Sequence, residues 1–203
     1  MKPVVLASSN AGKLRELAAV LGPLELELIT QGALGIPAPA ETGTTFLDNA
    51  LLKARHAAQR ASLPALADDS GLEVDALDGA PGVWSARFAG EGASDAANLE
   101  RLLQELAGRR GLPRSARYQC VIVFVRSAAD PAPLIARGTW EGSIIAEPRG
   151  SGGFGYDPVF VPQGLAQTAA ELAPAEKNLV SHRGQALRAL IAMLRAPGYI
   201  SPP

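Results

Sequence analysis

Two carboxylates stand side by side at Asp68 and Asp69, with the apolar run Ala65-Leu66-Ala67 in front of them and Ser70-Gly71 behind. An apolar run of that length, opened by Pro64, reads as a buried strand, so the pair falls at a strand end. Two unit charges ~4 Å apart repel by about 4 kcal/mol at an effective dielectric of ~20. Such a pair is tolerated where a hard cation sits between the carboxylates, or where one holds a proton for acid–base work. The competing reading is a turn in which Asp-Ser-Gly bonds its own backbone.

Three further stretches carry chemistry. Val4-Val5-Leu6-Ala7 reads as a strand that enters the polar turn Ser8-Ser9-Asn10-Ala11-Gly12-Lys13 and then a helix over residues 14–21, where Leu14, Leu17, Ala18 and Leu21 recur at helical spacing. Ser9 or Asn10 can cap that helix, and Gly22-Pro23 ends it. A helix N-terminus with a lysine beside it is an anion site, or else simply a capped helix. It is not a Walker A loop, because Ala7 stands where that motif needs glycine and Leu14 follows the lysine.

Gly150-Ser151-Gly152-Gly153-Phe154-Gly155 formally matches the dinucleotide fingerprint. The fingerprint requires a helix to start inside it, whereas Tyr156-Asp157-Pro158 and the strand-like Val159-Phe160-Val161 follow, so the match is rejected. What remains is a flexible glycine hinge that delivers Phe154, Tyr156 and Asp157 to one place. Aromatic rings in such a loop stack on a flat ligand such as a nucleobase, or Phe154 packs in the core. Lastly, Glu176-Lys177-Asn178 precedes Ser181-His182-Arg183-Gly184, where Ser181 caps a closing helix that buries Leu187, Leu190, Ile191 and Leu194. Cations are disfavoured at the positive end of a helix dipole, so Lys177, His182 and Arg183 imply an anionic or hydrogen-bond-accepting partner.

The elements that must position these residues are readable in outline. Residues 24–29 form a second strand candidate, and residues 31–40 a Gly/Pro-rich loop leading to Glu41-Thr42-Gly43-Thr44-Thr45. A helix follows from Phe46 to Ala61, with Phe46, Ala50, Ala54, Ala57 and Ala61 on its buried face. Asn49, Lys53 and His56 make a neighbouring polar stripe, which is ordinarily a solvated face. Residues 72–77 alternate and continue the central strand; residues 78–82 are a strong turn signal. Residues 83–90, with Trp84, Arg87 and Phe88, form an aromatic loop. Ser94 caps a helix ending near Gly108, with Leu99, Leu102, Leu103 and Leu106 inward, and residues 116–126 and 134–146 are long strand patterns split by Asp130-Pro131. There is no internal repeat, and the only low-complexity stretch is Ser201-Pro202-Pro203.

With 203 residues, 47% of them hydrophobic, the chain can bury a good core in one domain or two lobes. A net charge of −1 gives no general affinity for nucleic acid or membrane surfaces, so any anionic ligand must be met by a local cluster of lysines and arginines. Cys120 is the only cysteine and reads as a small core residue; no internal disulfide can form, and a reducing compartment follows. The apolar run at residues 3–7 is too short for a signal peptide and no stretch is long enough to span a membrane, which points to the cytoplasm.

Taken together and in order, these motifs strongly resemble the inosine/xanthosine triphosphate pyrophosphatase family, which cleanses the nucleotide pool of deaminated purines. The resemblance is carried by Ser8-Ser9-Asn10-Ala11-Gly12-Lys13, by Glu41-Thr42-Gly43-Thr44-Thr45-Phe46 with Asn49-Ala50 and Lys53-Ala54, and by Leu66-Ala67-Asp68-Asp69-Ser70-Gly71-Leu72. To these add Gly79-Ala80-Pro81-Gly82 with Ser85-Ala86-Arg87, Gly152-Gly153-Phe154-Gly155-Tyr156-Asp157-Pro158, and Ser181-His182-Arg183. It runs from about Val4 to Leu194. One departure is Ser9, where bacterial members usually carry glycine; this stiffens the phosphate turn.

The resemblance implies a single α/β domain over residues 1–203: an elongated fold with a long, twisted mixed β-sheet flanked by helices, and two lobes with an active-site cleft between them. It implies a magnesium-dependent hydrolase that converts ITP, dITP or XTP to the monophosphate and pyrophosphate, acting as a homodimer in the cytoplasm, with no nucleic-acid or membrane partner. By resemblance Ser8, Asn10 and Lys13 hold the triphosphate, with Lys53 assisting; Ser9, Ala11, Gly12, Ser70 and Gly155 also belong to the substrate-binding set. Glu41 and Asp69 bind Mg2+, Asp68 supports them or joins as a ligand, and Asp69 is the base that activates water. Phe154 stacks on the base, and Tyr156, Asp157, Lys177, His182 and Arg183 line its pocket. Two rival readings stand beside this one: a Maf-type housecleaning nucleotide pyrophosphatase, and a nucleotide-binding module without turnover.

Overall fold

The structure, a computed structural model, describes residues 3–22, 26–109 and 111–196. Six strands, β1 (Pro3–Leu6), β2 (Glu27–Thr30), β3 (Ala65–Val74), β4 (Ser115–Val125), β5 (Leu134–Ile144) and β6 (Phe160–Pro162), form one sheet in the order β2-β1-β3-β4-β5-β6. The sheet is mixed: β1 runs parallel to β2 and β3, while β5 and β6 are antiparallel. Among the described residues five α-helices accompany it, α1 (Ala11–Leu21), α2 (Phe46–Ala61), α3 (Asp95–Ala107), α4 (Pro174–Val180) and α5 (His182–Leu194). The chain divides into two compact units, and β3, β4 and β5 contribute to both.

The first unit comprises residues 1–69, 120–138 and 183–203. Successive strand residues point to opposite faces, so β1, β3 and β4 each feed two cores. Val5, Ala7, Ala65, Ala67, Val121 and Val123 meet Ala50, Ala54, Ala57 and Ala58 of α2 on one face. Alanine on both sides lets α2 lie close to the strands. Val4, Leu6, Leu66, Ile122 and Phe124 meet Leu17 and Leu21 of α1 and Leu187, Leu190 and Leu194 of α5 on the other. Both faces are covered, which is why these strands read as continuous apolar runs.

The second unit comprises residues 70–119 and 139–182. Its core gathers Leu72, Val74, Tyr118, Trp140, Tyr156 and Phe160 against Leu102 and Leu106 of α3. Trp140 and Phe160 rings lie 5.3 Å apart and Tyr118 and Phe160 rings 4.8 Å apart, distances at which aromatic pairs attract beyond their buried area.

Several expectations change here. Asp68-Asp69-Ser70-Gly71 is uninterrupted strand, not a turn. That strand stops at Val74, and residues 75–77 form a 3₁₀ turn instead of continuing it. The second strand begins at Glu27; Leu24 and Glu25 of the expected one lie outside the described residues, as do Pro23 of the expected helix stop and the tail at 201–203. Residues 82–87 of the aromatic loop wind into a 3₁₀ helix, and α4, unforeseen, holds Lys177. Asn49 and Lys53 of the polar stripe are buried. Helix α2 itself has the expected bounds, with the Thr45 hydroxyl capping it by accepting the Asp48 N–H at 3.1 Å.

Candidate active site

In the first unit the register Val5↔Ala65 and Leu6↔Leu66 sets the end of β1 beside the start of β3. The Ala7 N–H donates to the Leu66 carbonyl at 2.8 Å, so the turn that leaves β1 emerges next to Asp68. Of the two expected caps, Asn10 closes α1: its side-chain oxygen accepts the Lys13 N–H at 3.0 Å, and its own N–H donates to the Ser8 hydroxyl at 3.3 Å. Ser9, Asn10 and Ala11 are exposed and Gly12 is buried. The first turn of a helix directs amides without intrahelical partners outward, which suits a phosphate. Lys13 Nζ reaches Asp68 at 3.1 Å.

Strand alternation now separates the acidic pair. Asp68 follows Leu66 onto the face of α1 and α5, where it meets Lys13 and the Nε of Arg183 at 3.2 Å. Asp69 follows Ala67 onto the face of α2, where its Oδ1 accepts from Lys53 Nζ at 2.9 Å and its Oδ2 from Asn49 Nδ2 at 3.3 Å. Neither a shared cation nor a shared proton between the two carboxylates is needed, since each has its own cation. Lys53 also reaches Glu41 at 2.7 Å, so Glu41 and Asp69 converge on one positive charge.

Burial opposes the charge of Lys53, but Asp69, Asp68 and Glu41 outweigh it and hold the lysine pKa above its ordinary value. Burial likewise opposes the charge of Asp68, yet Lys13, Arg183 and Lys53 keep that carboxyl well below the usual carboxylate range. Cys120, nearby in the same unit, is wholly buried, and its thiol is pushed up to about 12, chiefly by burial. It is a packing residue with no thiolate chemistry.

Two residues unassigned in the sequence complete this half. Asn49 is fully buried; besides donating to Asp69, it accepts the Gly43 N–H at 2.8 Å and so ties the segment bearing Glu41 to Asp69. A Cβ on Gly43 would stand 2.6 Å from Asp48 Cβ, which explains the glycine. Glu16 pairs with Arg183 Nη1. Its signal in the sequence was its place three residues after Lys13 on one helix face.

The second unit holds Ser70, half-buried in β3, and the Gly150–Gly155 segment. No helix starts in that segment; a 3₁₀ turn over Asp157–Val159 and then β6 follow, consistent with rejecting the fingerprint. Nor is it a hinge. A Cβ on Gly152 would lie 2.8 Å from the Ala170 carbonyl oxygen, and one on Gly153, whose φ is +70°, 2.0 Å from Asp157 Oδ2. Gly150, Gly152 and Gly153 are there for close approach, and Gly155, where a Cβ would meet nothing, for its φ of +63°.

Asp157, buried, gathers this half: its Oδ2 accepts from Lys177 Nζ at 2.6 Å and from the Phe154 N–H at 2.9 Å, and its Oδ1 from the Tyr118 hydroxyl at 3.3 Å. Lys177 Nζ also lies 4.8 Å from the centre of the half-buried Phe154 ring. His182 is buried and stacks on Tyr118, ring centres 4.6 Å apart and nearly parallel. The Tyr156 hydroxyl donates to the Ser85 carbonyl at 2.8 Å, so Tyr156 anchors the loop from inside the core. Phe154, Gly155, Tyr156, Asp157, Lys177 and His182 thus all belong to one unit, while Arg183, next in sequence to His182, belongs to the other and is bonded to Asp68 and Glu16.

Comparison with known proteins follows the same lines. The sequence profile of the Ham1 family matches residues 4–193. The chain is 58% identical over 193 residues to the dITP/XTP pyrophosphatase of Halorhodospira halophila, covering 95% of this chain and 97% of that protein. It is also 58% identical to the dITP/XTP pyrophosphatase of Methylococcus capsulatus, covering 96% and 97%. A solved HAM1 protein from Coxiella burnetii superposes with a TM-score of 0.89 at 51% identity, covering 96% of this chain and 98% of that one.

Proposed function

The chain belongs to the Ham1 family, and from that membership we propose that it hydrolyses deaminated purine nucleoside triphosphates (ITP, dITP and XTP) to the monophosphate and pyrophosphate, and so cleanses the nucleotide pool. The observation that carries the reading is the convergence of Glu41 and Asp69 on a single cation, within the unit that also holds the Ser8–Lys13 turn.

Magnesium fits this donor set. Two carboxylates already meet at one positive charge, and Mg2+ is commonly held by one or two carboxylates plus substrate phosphate oxygens instead of an all-protein cage. Among the described residues no cluster of three or more acidic, histidine or cysteine groups is present that would suggest such a cage. Glu41 and Asp69 would hold the ion, which when bound would draw charge from the phosphate oxygens. Lys13 and the α1 amides hold the outer phosphates, and Lys53 holds Glu41 and Asp69 in register. Asp69 takes a proton from water as its oxygen joins the α-phosphorus; the bond from that phosphorus to the bridging oxygen breaks, and pyrophosphate leaves with the electron pair.

In the second unit Phe154 stacks on the base, while Lys177 and His182 offer donors to the oxygen at purine position 6. Adenine has an amine there, which a donor cannot meet; guanine has the oxygen, and is rejected because the pocket offers neither room nor an acceptor for its 2-amino group. The enzyme works in the cytoplasm as a homodimer, and no helix among the described residues is long and apolar enough to cross a membrane. The test is a panel of nucleoside triphosphates with pyrophosphate and orthophosphate detected separately. ITP, dITP and XTP should outpace ATP and GTP and release pyrophosphate; orthophosphate as the initial product, or preference for ATP, would overturn the reading.

A further inference from the structure

The residue before Gly155 carries the stacking ring, and both peptide planes that flank its Cα are held by carboxylates. The plane before Phe154 is fixed by its N–H, which donates to Asp157 Oδ2 at 2.9 Å. The plane after it is fixed by the Gly155 N–H, which donates to Asp95 Oδ2 at 2.8 Å. Because peptide units are planar, orienting these two planes sets φ and ψ of Phe154 and hence the direction in which its ring leaves the backbone. Asp157 belongs to the expected base pocket. Asp95 does not, and as the first residue of a helix it reads in the sequence merely as a favourable helix-start charge.

Helix α3 is well suited to hold a loop still. Ser94 caps it by accepting the Ala97 N–H at 3.2 Å, and Leu102 and Leu106 sink it into the core of the second unit. One turn after Asp95, buried Asn98 donates to the Ala86 carbonyl at 3.1 Å and accepts the Ala89 N–H at 2.8 Å. The start of α3 therefore fixes two segments, residues 86–89 through Asn98 and the Gly155 turn through Asp95. The Gly155 turn has φ +63°, a conformation that leaves no side chain to do the anchoring.

We propose that Asp95 is a positioning residue for base recognition: by accepting the Gly155 N–H it presets the Phe154 ring before substrate arrives. The proposal rests on the reading that Phe154 stacks on the base. A ring held in place binds without the cost of ordering its backbone on association, an effect of about tenfold in affinity for one residue. Base binding, not the chemical step, should feel its loss.

The test is a double-variant cycle on XTP with Asp95→Ala, Phe154→Ala and the two combined, together with amide hydrogen exchange of the free protein. Asp95→Ala should raise KM about tenfold with kcat nearly unchanged. Exchange at Gly155 should quicken while the body of α3 is unaffected, and the double variant should be no worse than Phe154→Ala alone. Asp95→Asn keeps an acceptor oxygen and should recover most of the loss. Asp95→Ser, tolerated at helix starts but too short to reach Gly155, should behave like Asp95→Ala and serves if that variant folds poorly. An unchanged KM in Asp95→Ala and Asp95→Ser, or losses that multiply in the double variant, would overturn the proposal. An unchanged KM in Phe154→Ala would instead overturn the stacking reading, so the two failures are told apart.

Discussion

Asp68 and Asp69 are adjacent in the chain and turn to opposite faces of β3, Asp68 toward Lys13 and Arg183, Asp69 toward Lys53 and Asn49. Their charges are compensated separately, which leaves each free for a different task. Asp68, wholly enclosed, fixes α1 and α5 to the sheet; Asp69 shares its lysine with the Glu41 carboxylate and is the base in the proposed reaction.

Asp69→Asn keeps the shape of the side chain and removes its charge. Lys53 retains Glu41, so the fold should survive with a melting temperature near that of the parent. Turnover of XTP at saturating magnesium should fall by about 10³-fold, as expected when a general base is lost. A folded variant with near-parental turnover would remove Asp69 from the catalytic role.

Asp68 should couple stability to acid. Its pKa is depressed in the folded state below the ordinary 3.8, so between the two values the unfolded chain binds more protons and stability rises with pH. The contribution is complete above the unfolded value and is lost as pH falls through the folded one. Asp68→Asn, which leaves Arg183 and Lys13 short of a buried partner, should cost about 3 kcal/mol at neutral pH. Urea unfolding followed down to about pH 2 should show the gap between parent and variant closing; a gap independent of pH would contradict the assignment.

How far the sequence reaches is clear from these two residues. That β3 existed, and that its carboxylates need partners, followed from an apolar run meeting two acids. That they diverge follows only once the strand is known to continue past them to Val74, because alternation then decides the face. Helix α2 was legible from its 3.6-residue apolar period, which agrees with the observed bounds; the Thr45 cap that fixes its start is a finding of the structure. Its burial was not: Asn49 and Lys53 look solvated in isolation and are buried because partners from Gly43, Glu41 and Asp69 close over them.

The glycine segment shows the opposite limit. Glycines signal either mobility or close approach, and composition alone does not choose between them. The choice is made by Ala170, remote in the sequence, and by the way the turn folds Asp157 back over Gly153. Helix α4 has only seven residues, too few for a periodic signal, and Asp95 carries none that separates an anchor from a cap.

Asn49→Ala removes the link between the Gly43 N–H and Asp69. Leaving the half-buried Gly43 N–H without its acceptor costs about 1 kcal/mol, to be seen in denaturant unfolding. Because the segment bearing Glu41 then loses its tie to Asp69 and only Lys53 still joins the two carboxylates, kcat on XTP should drop about tenfold or more with little change in KM. A rise in KM alone would assign Asn49 to substrate binding instead.

Lys177→Met tests base selection. The ammonium that lies 2.6 Å from Asp157 and 4.8 Å from the Phe154 ring is replaced by an apolar chain of similar length. Activity on ITP should fall far more than residual activity on ATP, narrowing a gap that hydrogen-bonding sites can widen to roughly 10⁴-fold. Equal proportional losses on both substrates would place base discrimination elsewhere.

Attack of water on the α-phosphorus is read out by hydrolysis of XTP in ¹⁸O-labelled water followed by mass spectrometry of both products. One labelled oxygen is expected in the nucleoside monophosphate and none in the pyrophosphate. Label in the pyrophosphate would mean attack at the β-phosphorus and would contradict the proposed reaction.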